Sequence, residues 1–471
     1  MDNRYKRLGK NTALVFFGSA GSKIIGFLML PFYTHYLSTE EYGVSSLITT
    51  YSAISVAIFT CCIADAIFIF PKNADKDGRK KYFSSGIAFL TCTFTLCALV
   101  FAILNFSGKK FDWQGTFFEM TWWLYAFAIS EYFQRYSQQF CRSIDKMKVY
   151  AISGIVLTLA LALLALVLLP KFGLNGYLWS IVGANSIAGL YTLLASGAWK
   201  YASTKSISKA HLKELLAYGI PLIPNGLMWW LVNGVNRPIM EQTLGLAAIG
   251  IYAVAGKFPS LLNMLFTIFA NAWGISMLEE FHKPDFNSFF NKTVKALYFV
   301  TIIGGCIITL CSKELIRIFA APEYFEAWRY VSLLTLSIIL QCLSGLIGGV
   351  FMAEKKSKYF FYSSIWGAVV SVAITWPLIK LFGIAGVAIA VALSFLCMTV
   401  VRLKYAWKHI NMFDIKYFIT VMLIYILYIY INYMDLNLKA ELFVFFTIVG
   451  LIILISKREI NAVIIKFKNR K

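Results

Sequence analysis

The sequence predicts an all-α membrane protein with about 14 transmembrane helices, arranged as two parallel six-helix bundles and two further C-terminal helices. Three observations predict this. Of the 471 residues, 59% are hydrophobic and only 14% charged, whereas a soluble chain carries roughly a quarter charged residues. Apolar runs recur from end to end, each near the ~20 residues that carry a helix across ~30 Å of hydrocarbon. They are long and unbroken, so their backbone polar groups are satisfied inside helices rather than between barrel strands. The third observation is a repeat. Pro31, Leu37 and Gly43 recur as Pro238, Leu244 and Gly250, 207 residues later. Asp145-Lys146 and Tyr150 recur as Glu354-Lys355 and Tyr359 at 209, and Phe172-Gly173 and Gly176 as Phe382-Gly383 and Gly386 at 210. Landmarks in the same order mark a duplicated six-span unit, and an even span number makes both copies enter the membrane from the same side.

Taken in order, the spans fall near 12–36, 43–70, 82–105, 116–140, 150–170 and 174–199 in the first copy, residues 1–205. The second copy, 206–410, places them near 214–237, 246–276, 292–312, 328–353, 359–379 and 383–407. Residues 411–471 add spans near 415–434 and 439–456 and a basic tail. The first span is too long for a cleaved signal and has no small-residue cleavage site, so it reads as a permanent helix. A short acidic turn, Leu37 to Gly43, follows it.

The net charge of +21 sits between spans rather than on one soluble face, which argues against nucleic acid. Of 44 Lys and Arg residues, 32 fall in alternate loops assigned to one side, including Lys295 and Arg402, and 8 in the others. That bias places both termini in the cytoplasm. The nine cysteines lie in or beside apolar runs without a CxxC pair, and the four histidines are scattered, so neither a disulfide nor a metal site is expected. No loop is long enough to fold as a domain, and no acidic catalytic pair stands out. Catalytic residues are therefore not expected, and the chain reads as a non-enzyme.

Ionisable groups inside spans carry the functional signal, because a charge at that depth costs at least ~2.5 kcal/mol and faces protein or water rather than lipid. Lys23 and Lys257 each lie about 11 residues into spans 1 and 8, hence ~16 Å deep. Arg135 and Glu131 form an i,i+4 pair on span 4. Asp65 lies toward the inner end of span 2, within reach of a loop lysine. Span 7 carries Asn225, Asn233, Asn236 and Arg237 and is interrupted by Pro221 and Pro224, which predicts a bend. A cavity lined by Lys23, Lys257, Arg135 and Arg237, with Glu131, Asp65 and the three asparagines in support, is matched to an anion such as phosphate or pyrophosphate. The plainer readings are a helix-to-helix ion pair for Glu131–Arg135 and a snorkelling Arg237. The aromatic residues read mostly as interfacial belt, with a sugar-stacking role open for pairs such as Trp229-Trp230.

The frame Pro31-x-x-Thr34-x-x-Leu37-Ser-x-Glu40-Glu41-Tyr42-Gly43, its echo Leu244-Gly-Leu-Ala-Ala-x-Gly250 and the Phe-Gly-x-x-Gly turns resemble the Wzx-type polysaccharide-biosynthesis flippases. These belong to the multidrug/oligosaccharidyl-lipid/polysaccharide (MOP) exporter superfamily, and the resemblance covers essentially the whole chain. It implies a monomeric flippase that moves an undecaprenyl-diphosphate-linked oligosaccharide across the bacterial cytoplasmic membrane by rocking of two helix bundles. The partners it implies are that lipid-linked glycan, membrane lipids, a polysaccharide polymerase and glycosyltransferases. It implies no cofactor, and leaves H+ and Na+ both open as coupling ions. It offers no catalytic motif, and the family's cationic lumen maps by span position onto Lys23, Arg135, Arg237 and Lys257. Two rivals share the superfamily: lipid-linked peptidoglycan-precursor flippases, and cation-coupled drug exporters, which are expected to carry a carboxylate where span 1 has Lys23. A membrane-embedded polymerase is the enzyme-class rival.

Overall fold

Helix is the regular structure throughout the residues that the computed structural model describes, namely 21, 24–111, 115–411 and 413–468. Ten of these helices are long and apolar enough to cross a membrane, or eleven when one bent pair is taken as a single span. Packing divides the chain into two compact units, Met1–Trp230 with Gly245–Gly250, and Leu231–Leu244 with Ile251–Lys471.

In the first unit, α1 (Ile24–Tyr36) ends at the acidic turn. There Ser38 caps α2 (Thr39–Phe59): the Glu41 N–H donates to Ser38 Oγ at 3.2 Å, and the Ser38 N–H donates to the Glu41 carboxylate at 3.0 Å. This reciprocal box satisfies two of the amides a helix start leaves open. At the other end of α2, Cys61 and Cys62 adopt left-handed conformations (φ 49° and 51°) and break the span before α3 (Ile63–Ile69). Two consecutive non-glycine residues in that region cost of order 1–3 kcal/mol each. Surrounding structure must hold this break in place. Asp75 caps α4 (Lys76–Lys110) by accepting the Gly78 N–H at 2.8 Å.

Expected span 4 becomes α5 (Thr121–Ser143), which falls outside the ten because Glu131, Gln134, Arg135, Gln138, Gln139 and Arg142 make it too polar. Its other face is apolar, and Phe127, Tyr132, Tyr136 and Phe140 are buried. Expected spans 5 and 6 form one 49-residue element, α6 (Met147–Ala195), broken at Gly173. Span 7 starts as α7 (Lys209–Gly219), passes a 3-10 turn at Pro221 and continues as α8 (Ile223–Asn233). The interruption expected from its prolines is present at Pro221, whose ring removes a backbone donor.

The second unit begins with α9 (Asn236–Thr243). After it, α10 (Leu246–Ala255), whose residues up to Gly250 belong to the first unit, and α11 (Pro259–Glu280) form a span bent by 51° at a three-residue break around Lys257. There follow α12 (Phe286–Phe319), α13 (Trp328–Ala353), α14 (Ser357–Phe382), α15 (Ile384–Ala406), α16 (Ile415–Tyr433) and α17 (Leu438–Lys468). One core runs through α12, α13 and α16, with Phe290, Ile302, Ile347, Phe351 and Tyr425 fully buried. Ion pairs tie the C-terminal helices to α12: Lys295 to Asp414 at 2.8 Å, and Lys313 to Asp435 at 2.6 Å and to Glu441.

Among the described residues, two of the cations counted as loop residues from the sequence are buried inside helices. Lys295 is 7% exposed inside α12. Arg402, 1% exposed in α15, donates to Ser363 Oγ at 3.0 Å and to the Ser344 carbonyl at 2.7 Å, with its guanidinium over Phe360. A cation at the end of an apolar run reads as a loop residue only when no buried acceptors are known to await it.

The repeat is visible in backbone geometry. Gly173 (φ 54°, ψ −134°) and Gly383 (φ 57°, ψ −133°) take the same left-handed turn. Asp145 and Lys355 both have positive φ, and each precedes a six-residue closure, Lys146 N–H to Cys141 O at 3.1 Å and Lys356 N–H to Phe351 O at 2.9 Å. That equivalence is a separation of 210, so the sequence matching of Asp145 with Glu354 is off by one residue. Gly43 and Gly250, 207 apart, face each other inside the first unit. A Cβ on Gly43 would sit 2.0 Å from the Leu246 carbonyl oxygen, and one on Gly250 2.0 Å from that of Thr39. Only glycine allows this approach.

At the turn after α13, Glu354 accepts from Lys356 at 2.7 Å and from Lys408 at 2.5 Å, with His409 Nε2 3.2 Å away. Burial pushes this carboxyl up, but the hydrogen bonds from Lys356 and Lys408 with His409 beside them outweigh it and hold it at about 2 instead of 4.5. A depressed folded-state value contributes stability that is present above pH 4.5 and is lost as pH falls toward 2. Glu354→Gln is expected to flatten the acid limb of melting temperature against pH over that window. An unchanged acid limb would show that the cluster carries no such linkage.

Candidate functional site

The first unit builds a polar cavity where its broken spans meet α5. The break at Cys61–Cys62 turns the chain so that Asp65 lies in the first turn of α3. Arg135 on α5 donates from Nη2 to both Asp65 oxygens, at 3.1 and 3.3 Å. Glu131, one turn earlier, instead accepts from Ser52 Oγ on α2 at 3.2 Å. The Glu131–Arg135 pair expected from their spacing is therefore replaced by two contacts that reach other helices. Asp65, expected within reach of a loop lysine, is taken by Arg135.

Beside this pair lies a cavity of about 430 Å³ lined by Asp65, Arg135, Tyr132, Asn225, Trp229 and Trp230. The Trp230 indole N–H donates to the Thr50 carbonyl at 2.8 Å, which fixes that ring against α2. The Tyr132 hydroxyl and Asn225 Oδ1 are buried and have no hydrogen-bond partner among the described residues. Sequence reasoning did not find Ser52, Thr50 or Tyr132, because nothing local marks a serine, a backbone carbonyl or a tyrosine as part of a polar site.

The second unit carries a different cluster at two helix breaks. Span 7 is interrupted again at Gly234–Val235, and α9 restarts at Asn236. Asn236 is fully buried, and its Nδ2 donates to the Tyr252 hydroxyl at 3.3 Å while its Oδ1 has no partner among the described residues. Arg237 stacks 5.7 Å from the Tyr252 ring and makes a long contact, 3.4 Å, with the Asn233 carbonyl. Its Nε is buried without an acceptor among the described residues. Lys257 occupies the bend between α10 and α11, where its own carbonyl accepts from Ser260 Oγ at 2.6 Å. Its side chain is exposed, and the Arg237 charge acts repulsively on it.

Among the described residues, neither Arg237 nor Lys257 forms an ion pair with a carboxylate. The two like charges therefore stand at these helix breaks without a carboxylate to neutralise them. Of the expected site residues, Asp65, Glu131, Arg135 and Asn225 thus fall in the first unit, and Asn233, Asn236, Arg237 and Lys257 in the second. Lys23 lies outside the described residues.

Known proteins resemble this chain in sequence and in fold. The sequence profile of a family described as polysaccharide biosynthesis protein matches residues 8–273. An uncharacterized membrane protein of Methanocaldococcus jannaschii is 23% identical over 275 residues, covering 55% of this chain and 64% of that protein's length. Among solved structures, an inward-facing multidrug resistance MATE family transporter of the MOP superfamily superposes with a TM-score of 0.66 at 13% identity, over 85% of this chain and 95% of its own. The lipid II flippase MurJ, in an inward closed conformation, gives 0.64 at 15% identity over 96% of this chain and 99% of its own. A MOP superfamily transporter from Pyrococcus furiosus gives 0.58 at 12% identity, over 85% and 94%. With more than half of its length matched, the chain belongs to the polysaccharide biosynthesis protein family and is a multi-pass membrane protein with the fold of the MOP-superfamily transporters.

Proposed function

We propose that this protein is a flippase that carries an undecaprenyl-diphosphate-linked oligosaccharide repeat unit across the bacterial cytoplasmic membrane for surface polysaccharide synthesis. Family membership supports the polysaccharide pathway. The observation that carries the substrate class is the Arg237–Lys257 pair, two cations without a carboxylate partner at the breaks of spans 7 and 8. A diphosphate cannot enter hydrocarbon unaided, because moving an isolated charge there costs tens of kcal/mol. Its polyprenyl tail stays in lipid, so the protein needs to shelter only the headgroup. Arg237 offers a planar donor fork and Lys257 a mobile ammonium, and both suit phosphate oxygens. Alternating access then exposes the loaded site first to the cytoplasmic side, where both termini lie, and next to the outside. No step makes or breaks a covalent bond, so these residues bind and release rather than catalyse.

The test is genetic. In a strain lacking this chain, surface polymer disappears while lipid-linked repeat units accumulate on the inner leaflet, and cell-wall synthesis continues. Normal surface polymer would refute the proposal. Lysis with accumulated peptidoglycan precursor would assign the protein to that lipid-linked substrate instead, a reading favoured by the full-length likeness to a lipid II flippase.

A further inference from the structure

The cavity of the first unit differs in charge from the Arg237–Lys257 cluster. Its one cation among the described residues, Arg135, already binds both oxygens of Asp65, so the pair contributes no net charge. Glu131 nearby is directed to Ser52. A phosphate brought here would have to displace Asp65 and leave that carboxylate without its partner, which is unfavourable even for a half-exposed pair. The cavity is therefore a poor anion site.

Its remaining chemistry is that of a polyol site. The volume, about 430 Å³, falls within the roughly 300–1,000 Å³ of small-ligand pockets. The walls combine two indole rings with a carboxylate, a guanidinium, an amide and a phenol. Indole faces suit the apolar C–H faces of a pyranose ring, while paired charged groups donate to and accept from its hydroxyls. Two of these groups have hydrogen-bonding capacity unspent among the described residues: the Tyr132 hydroxyl, on a side chain 2% exposed, and Asn225 Oδ1. Trp230, held by its bond to Thr50, presents its ring without further ordering cost.

We infer that the cavity framed by Asp65, Arg135, Tyr132, Asn225, Trp229 and Trp230 binds a neutral sugar residue, separately from the cations that bind phosphate. This rests on the flippase reading and assigns part of its substrate's headgroup to the first unit. The site reads sugar hydroxyls and ring faces. It sets which glycan is carried, while the cationic cluster recognises the diphosphate handle common to all such lipids.

The experiment uses full-length protein in nanodiscs, with glucose, galactose and N-acetylglucosamine as sugar probes and inorganic pyrophosphate as the anion probe. Saturation-transfer NMR should show at least one sugar receiving magnetisation from indole protons in a saturable manner. Trp229→Ala should weaken that binding about tenfold or more, Trp229→Phe should restore most of it, and both should bind pyrophosphate as wild type does. Asp65→Asn frees Arg135, so this variant should lose sugar affinity and gain a second pyrophosphate site. Arg237→Ala and Lys257→Ala should do the reverse, losing pyrophosphate and keeping sugar. No saturable transfer to any of the three sugars, or an Asp65→Asn variant with unaltered pyrophosphate stoichiometry, overturns the inference. Loss of pyrophosphate binding in Arg237→Ala and Lys257→Ala alongside either result would leave the flippase reading standing. Wild-type protein that binds sugar but not pyrophosphate would instead remove the diphosphate reading and keep the sugar site.

Discussion

Lys257→Ala is expected to weaken pyrophosphate binding by roughly 10- to 150-fold, the equivalent of the ~1.5–3 kcal/mol that a hydrogen bond to a charged group contributes. Lys257 stands at the bend of span 8, with no carboxylate bound to it among the described residues. Its charge is therefore available to a ligand instead of being spent on the fold. Arg237 shares the same field, so the two variants should couple: removing both costs less than the sum of the single effects, because one cation's removal also relieves repulsion on the other. Lys257→Arg keeps the charge and should retain most binding. Titration with inorganic pyrophosphate in nanodiscs measures these four variants against wild type. Wild-type affinity in Lys257→Ala would remove the anion assignment for this cluster.

Gly43→Ala and Gly250→Ala are expected to be strongly destabilising. Each new Cβ would lie 2.0 Å from a backbone carbonyl oxygen of the opposing helix, and backbone cannot step aside as a flexible side chain does. Overpacking of a core costs about 1–3 kcal/mol where side chains adjust. The cost here should reach or exceed the upper end of that range. Gly450→Ala on α17, which meets nothing within 4 Å, is the control, since alanine is favoured over glycine in a helix interior by roughly 0.5–1 kcal/mol. Thermal melting of purified protein should place both contact variants well below wild type and Gly450→Ala at or slightly above it. Equal melting of all three variants would contradict the close approach.

The sequence made much of this architecture readable, because lipid forces backbone groups to be satisfied locally and so leaves long apolar runs. Pro31, Gly43, Gly173 and their later copies were readable for a related reason, since fixed φ or a missing Cβ is written in the residue type. The break at Cys61–Cys62 was not readable, since no glycine or proline marks it and both positive-φ residues are cysteines. The same limit applies to Arg135. Local spacing offered Glu131 as its partner, and the fold supplied Asp65, 70 residues away, instead. Arg402 was misplaced because its acceptors come from α13 and α14, which no window along α15 contains. The register error at Asp145 and Glu354 arose because composition matched the two turns one residue away from where their positive-φ residues align.

Translocation itself is the most direct measurement. Purified protein is reconstituted into liposomes carrying an undecaprenyl-diphosphate-linked oligosaccharide with a labelled sugar, and a membrane-impermeant enzyme reports how much of the label reaches the outer leaflet. The account predicts rapid, protein-dependent exposure of the inner-leaflet pool, slowed at least tenfold in Lys257→Ala. Exposure no faster than in protein-free liposomes, or equally fast with and without the Arg237 and Lys257 charges, would contradict it.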